Sequence, residues 1–217
     1  MPVEVSTACP MHPATWKKPY VHLVCARNEL SKAIADPMPT TANYIHFFIS
    51  YAVAFLVFGL IGRWYIWPNI KDRAIKSALT PLLLYACLRI NGLMFLMPGL
   101  VSPELPSAFA VPTAYGDLAA VLLALLSLAY VRFESGYAVP VLWLFNVVGL
   151  LDLAYANISS LATGVDPAQW GASYYLVVLN VPAMVVVHVL IFAYLLRGAR
   201  QNGARTPSAF NKTRERS

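Results

Sequence analysis

IHFFISYAVAFLVFGLIGRWYI, residues 45–66, carries no charged residue before Arg63 and is followed by Trp67 and Pro68. As a helix rising about 1.5 Å per residue, such a run matches the roughly 30 Å hydrocarbon core of a bilayer. Aromatic rings beside a basic residue are what a membrane–water interface favours. Pro68 then stops the helix, because proline lacks the N–H and clashes with the preceding turn. The whole chain agrees with this reading: 59% of its 217 residues are hydrophobic and 12% are charged, against about 25% charged in soluble domains.

Four more spans follow along the chain. The second is Ala78 to Met97, with Pro81 near its start and Arg89 and Asn91 inside it. A stretch with Pro98, Pro103, Pro106 and Pro112 is too broken for a span and too apolar for a free linker; it is expected to lie against the outer surface of the bundle. The third span is 114–131, with Asp117 near its start and a small-residue face at Gly116, Ala120, Ala124 and Ser127 that permits close helix contact. The fourth is 138–156, holding Asn146 and Asp152, and the fifth is 173–196, holding Asn180, Pro182 and His188. The fold class is therefore an all-α integral membrane protein, a bundle of five transmembrane helices within residues 44–196. Residues 1–43 read as a polar, disordered arm and 197–217 as a basic cytoplasmic tail. Met38, just before the first span, is an alternative start, so residues 1–37 need not belong to the translated protein.

Charge sets the expected orientation. Arg63, Lys71, Arg73, Lys76, Arg132 and six tail residues fall on one side, eleven in all, against Lys17, Lys18, Arg27 and Lys32 on the other. The positive-inside rule then puts the N-terminus outside and the C-terminus in the cytoplasm, in a cell (inner) membrane. A four-span reading would place the two basic loops on opposite sides. The formal net charge of +6 belongs to this flanking pattern and is not read as a nucleic-acid surface. The tail is expected to meet anionic lipid, at about 1 kcal/mol per basic residue near the surface.

The polar residues inside the spans carry the functional reading. By helical rise, Arg89 lies roughly 16 Å from the cytoplasmic edge, Asn180 about 20 Å, Asp152 about 21 Å and Asp117 about 25 Å. Asn91 sits slightly beyond Arg89, and Asn146 shares the inward face of its helix with Gly149, Asp152 and Ala156. Leaving one arginine or aspartate in lipid costs on the order of 2.5 to 3.5 kcal/mol. Arg89 is therefore expected to pair with Asp117, Asp152 or both. With all three ionised, one negative charge is in surplus, to be met by a proton, a cation or a cationic group. Pro182 frees a backbone carbonyl one turn earlier, a device found at membrane sites. His188, reckoned about 12 Å from the same edge, reads as a hydrogen-bonded packing residue. His46 and His188 differ in depth by roughly 16 Å, too far to share one haem.

Cys9-Pro10-Met11-His12-Pro13 combines thiolate, thioether and imidazole, donors that suit Cu(I). The run resembles the core of short heavy-metal-binding segments in bacterial metal-efflux proteins, over five residues and without their usual flanks. No other cofactor is expected. Three cysteines are too few for a disulfide scaffold; Cys9 and Cys25 share a side, and Cys87 reads as a small apolar filler. LPSAFAVPTAYGDLAAVLLAL (105–125) and NVVGLLDLAYA (146–156) resemble a pattern in uncharacterised bacterial multi-pass membrane proteins. The resemblance covers about the last three spans. It implies a shared fold and a shared role for Asp117, Asn146 and Asp152, and it brings no activity.

Two function classes stay open on these residues. One is binding or translocation of a small solute, ion or proton at an outward-facing polar cluster of Arg89, Asn91, Asp117, Asn146, Asp152 and Asn180. The other is a non-catalytic accessory or assembly subunit, with a membrane protein partner or as a homo-oligomer, in which the same cluster locks the helices. An enzyme ranks last, since no serine–histidine pairing, His-Glu metal motif or nucleotide loop is present.

Overall fold

The computed structural model of the chain describes residues 40–205. Cys9, Met11, His12, Cys25, Met38 and the last tail residues lie outside that range, so the copper motif and most of the arm do too. Among the described residues the regular elements are helices, joined by short loops, one of which holds an isolated β-bridge between Pro98 and Val101.

Helix α1 is Thr40–Ile61 and continues through a π-helical turn, Gly62–Ile66, into a last turn at Trp67–Ile70. Helix α2 is Ile75–Ala86 and tightens into a 3₁₀ stretch, Cys87–Leu96. Helix α3 is Ser107–Arg132, α4 is Ala138–Ala162, and α5 is Tyr174–Arg205, preceded by a 3₁₀ turn at Pro167–Ser173. All five are long and apolar enough to cross a membrane. Their outer faces expose Leu56, Leu122, Leu151, Ile158 and Leu179 at 51–66%, an apolar coat that water would not tolerate and lipid would cover.

The helices run past the expected span ends. Helix α3 begins at Ser107 instead of Ala114, with Pro112 inside it. Proline there loses one hydrogen bond, to the carbonyl of Ala108 near the helix start, and the remaining ladder carries the helix onward. Helix α4 runs on to Ala162. Pro81 lies in the second turn of α2, since that helix starts at Ile75. The proline-rich segment 97–106 is a cap: Ser102 N donates to Gln169 O at 2.9 Å and Ala172 N to Leu100 O at 3.0 Å. These bonds satisfy irregular backbone within protein, as a membrane environment demands.

Helix α3 is central, packed between α2 and α4. Its Ala114, Ala120, Ala124 and Ser127 are buried to zero exposure, so both neighbours approach its backbone closely. Helix α5 closes the bundle against α4 and α2. Helix α1 is the least embedded: 17% of its most apolar window is buried, against 44% for α5. It is held by polar contacts at its start and by Gly62, where an added Cβ would meet Val186 Cγ1 at 2.9 Å.

Two apolar clusters divide the bundle. Leu79, Leu83, Leu142, Phe145 and Ile191 fill the half toward the 71–74 and 133–137 loops. Phe47, Phe95, Phe109, Val165 and Trp170 fill the half toward the 97–106 cap. The first half carries the basic loops. Arg197 pairs with Asp72 at 2.6 Å and Lys76 with Glu134 at 2.8 Å, and the lysine hydrogen bond holds the Glu134 carboxyl below its usual range. Such exposed pairs are worth little singly. No lysine or arginine occurs in the 97–106 cap or in 163–173.

Candidate functional site

Between the two apolar clusters lies a layer of charge. Arg89 rises from the 3₁₀ stretch of α2, where three residues per turn stack positions three apart. Arg89, Gly92 and Phe95, the buried residues of that stretch, therefore share one line facing α3. The Arg89 side chain is 1% exposed, and those of Asp117 and Asp152 are 16% and 14%. Arg89 Nε donates to Asp117 Oδ1 at 2.7 Å, and Nη2 reaches the same oxygen at 2.6 Å. Nη2 also donates to Asp152 Oδ2, and Nη1 donates to the Gly149 carbonyl at 2.9 Å. One guanidinium thus ties α2 to α3 and α4 by charge-assisted bonds.

Glycines make the room. A Cβ at Gly92 would overlap the Asp117 carboxylate, and one at Gly116 would overlap that of Asp152. A Cβ at Gly149 would stand 2.8 Å from His188 Nε2 and 3.3 Å from Arg89 Nη1. His188 and Arg89 therefore both approach Gly149 closely.

Asn146 and His188 form a second unit beside the first. Asn146 Nδ2 donates to the His188 carbonyl at 3.0 Å, which fixes the amide orientation. Asn146 Oδ1 then accepts from His188 Nδ1–H at 2.7 Å. With Nδ1 as the donor, a neutral ring would carry its lone pair on Nε2, which has no hydrogen-bond partner among the described residues. Both side chains are fully buried. Asn146→Ala strands the Nδ1–H in a dry interior, and the expected cost is about 1–3 kcal/mol. Chemical or thermal unfolding in detergent checks this; an unchanged midpoint would contradict it.

A cavity of about 110 Å³ opens on the capped side of the charged layer, with room for several waters or a small organic molecule. Each helix gives it one stripe. Phe109, Thr113 and Asp117 descend α3 at intervals of one turn. Arg89, Gly92 and Phe95 come from α2; Leu153, Asn157 and Ser160 from α4; Val177, Asn180 and Met184 from α5; and Phe47 and Tyr51 from α1. Trp170 roofs it. Phe48 and Leu161, both exposed, mark a mouth between α1 and the end of α4. Tyr51 OH donates to Asn157 Oδ1 at 2.8 Å and Phe47 meets Trp170 edge-on at 5.0 Å, which fastens α1 over the cavity. Asp166 positions the roof: its carboxylate accepts from Ala168 N at 2.8 Å, and Gln169 Oε1 accepts from Asp166 N at 3.1 Å. This capping box satisfies the turn that carries Trp170.

The candidate residues thus separate. Arg89, Asp117 and Asp152 come together; of these, Arg89 and Asp117 line the cavity and Asp152 does not. Asn180 lines it and has no hydrogen bond among the described residues. Asn146 is spent on His188. Asn91 is half-buried, outside both cavity and cluster. Thr113, Tyr51, Asn157 and Trp170 were not singled out from sequence. The Thr113–Asp117 spacing and the Asp166–Gln169 capping box are the signals that could have found two of them. Among the described residues no group of three or more His, Cys, Asp or Glu could hold a metal ion.

Comparison with known proteins adds one relationship. No curated protein and no solved structure matches the chain. A family described as a domain of unknown function, DUF8737, matches residues 46–196, a range that takes in three of the five membrane-length helices whole and most of the first and last. The chain is a member of the DUF8737 family.

Proposed function

We propose that this protein binds, and in transport terms admits, a small solute at the cavity beneath the 97–106 cap, and that this cavity faces the outside of a cell (inner) membrane. The observation that carries the reading is the wall chemistry. Thr113 and Trp170 line the cavity, and the atoms Thr113 Oγ1 and Trp170 Nε1 are buried with no hydrogen-bond partner among the described residues. Asn180 is likewise unpartnered, and the Asp117 oxygen Oδ2 makes no hydrogen bond there either. Polar groups without partners are rare in a finished core, and four of them on residues that line one cavity support a ligand site there. The orientation rests on the basic loops, which all lie at the opposite end.

The lock reading has its own observation. Arg89 also bonds Asp152 and the Gly149 carbonyl, and neither of those two residues lines the cavity. We assign that half of the cluster to holding α2 on α4 and the Asp117 half to the ligand. The test is a thermal-melt screen of the purified protein in detergent, across pH, metal ions including copper, and small solutes. The expected result is a raised melting temperature with one chemical class. A flat response across the panel would remove the binding function and leave the lock, and with it the search for a protein partner.

A further inference from the structure

We propose that the ligand is an amphiphilic ammonium ion, a protonated amine on a short apolar body, entering sideways from the lipid. This rests on the cavity being a binding site and adds the class of its occupant. Charge points first to a cation. The cluster holds one guanidinium and two carboxylates, so its ionised form is one negative charge in surplus, on a floor where unbalanced charge is expensive. The titratable and charged groups facing it are Arg89 from α2, Asp117 from α3, Asp152 from α4 and His188 from α5; α1 contributes Tyr51, whose hydroxyl is bonded to Asn157.

Geometry then says where the cation sits. Asp117 spends Oδ1 on both Arg89 contacts, leaving Oδ2 as an acceptor on the cavity floor. Thr113 lines the cavity one turn above it on the same helix face, with a hydroxyl that has no hydrogen-bond partner among the described residues and can turn toward a donor, and Asn180 offers a third acceptor across from α5. An ammonium has three N–H donors and no acceptor, which these groups match. Above them the walls are the rings of Phe47, Phe95, Phe109 and Trp170, surfaces that attract a cation and shelter an alkyl body. The mouth at Phe48 and Leu161 is apolar and opens on the exposed flank of the bundle, where a bilayer would supply ligands already dissolved in lipid.

The experiment is titration calorimetry of the full-length protein in an uncharged detergent, at neutral pH and constant ionic strength, with hexylammonium, hexanol and hexanoate. Hexylammonium is expected to bind, and hexanol and hexanoate are not. Asp117→Asn, close in shape and still able to accept from Arg89, is expected to weaken hexylammonium about tenfold or more. Thr113→Val is expected to weaken it about two- to tenfold. Unliganded melts of both variants establish that they are folded. Hexanol or hexanoate binding as well as the ammonium would overturn the cation assignment and leave the site. Heat from none of the three would overturn both.

Discussion

Arg89→Met is expected to destabilise the protein by about 3–5 kcal/mol, read as a lower unfolding midpoint in detergent, because it leaves two buried carboxylates facing each other without a counter-charge. Nothing else among the described residues replaces the guanidinium: Asp117 Oδ1 and Asp152 Oδ2 have no other donor. The cost belongs to the stranded charges and not to a lost attraction, and this makes the prediction specific. Adding Asp117→Asn and Asp152→Asn to Arg89→Met removes the charges and is expected to recover most of the loss. Arg89→Lys keeps the charge but loses the fork that reaches α3 and α4 together, so it should fall between. If the triple variant were as unstable as Arg89→Met, the cluster's charge balance would not be what holds the helices.

Gly116→Ala is expected to cost about 2–3 kcal/mol, the scale of overpacking a close-fitted interior, although alanine is the better helix former by about 1 kcal/mol. The new methyl group would overlap the Asp152 carboxylate and push it off Arg89. Gly59→Ala supplies the opposite sign. That glycine lies inside α1 with nothing within 4 Å of an added Cβ, so only the helix preference acts and stability should rise by about 0.5–1 kcal/mol. Unfolding of the two variants side by side checks the pair; equal effects would mean that the close approach of α3 and α4 does not decide stability.

How far the sequence could be read follows from the physics of each feature. Membrane spans were legible because apolar length is a local property, and Ile45 to Ile66 shows it without reference to any other segment. Helix ends were less so. Pro112 looked like a break, yet a proline near a helix start costs one bond, and the cap pairing with 169–172 holds the preceding chain in place. Depth along a helix put Arg89, Asp152 and Asp117 roughly 16, 21 and 25 Å from one edge, since rise per residue is nearly constant, and a long arginine side chain bridges that spread. Facing was harder: Asn91 lies close to Arg89 in depth, but two residues along a helix turn it well away from the Arg89 face, whether the winding is α or the 3₁₀ of Cys87–Leu96, and Asn91 stands outside the cluster. Asn146 could not be assigned from its own helix at all, since its partner is set by the packing of α5. The cavity walls were hidden for the same reason: Phe47 and Trp170 look like ordinary apolar residues until α1 closes over the roof.

The most direct test compares melts of wild type, Asp117→Asn and Asp152→Asn, each with and without the ligand class that stabilises wild type. Asp117 lines the cavity and Asp152 does not. The account therefore predicts that Asp117→Asn folds but loses the ligand-induced rise, whereas Asp152→Asn melts lower and keeps it. Loss of the rise in neither variant would contradict it, for the ligand would then bind elsewhere and the charged layer would serve the fold alone.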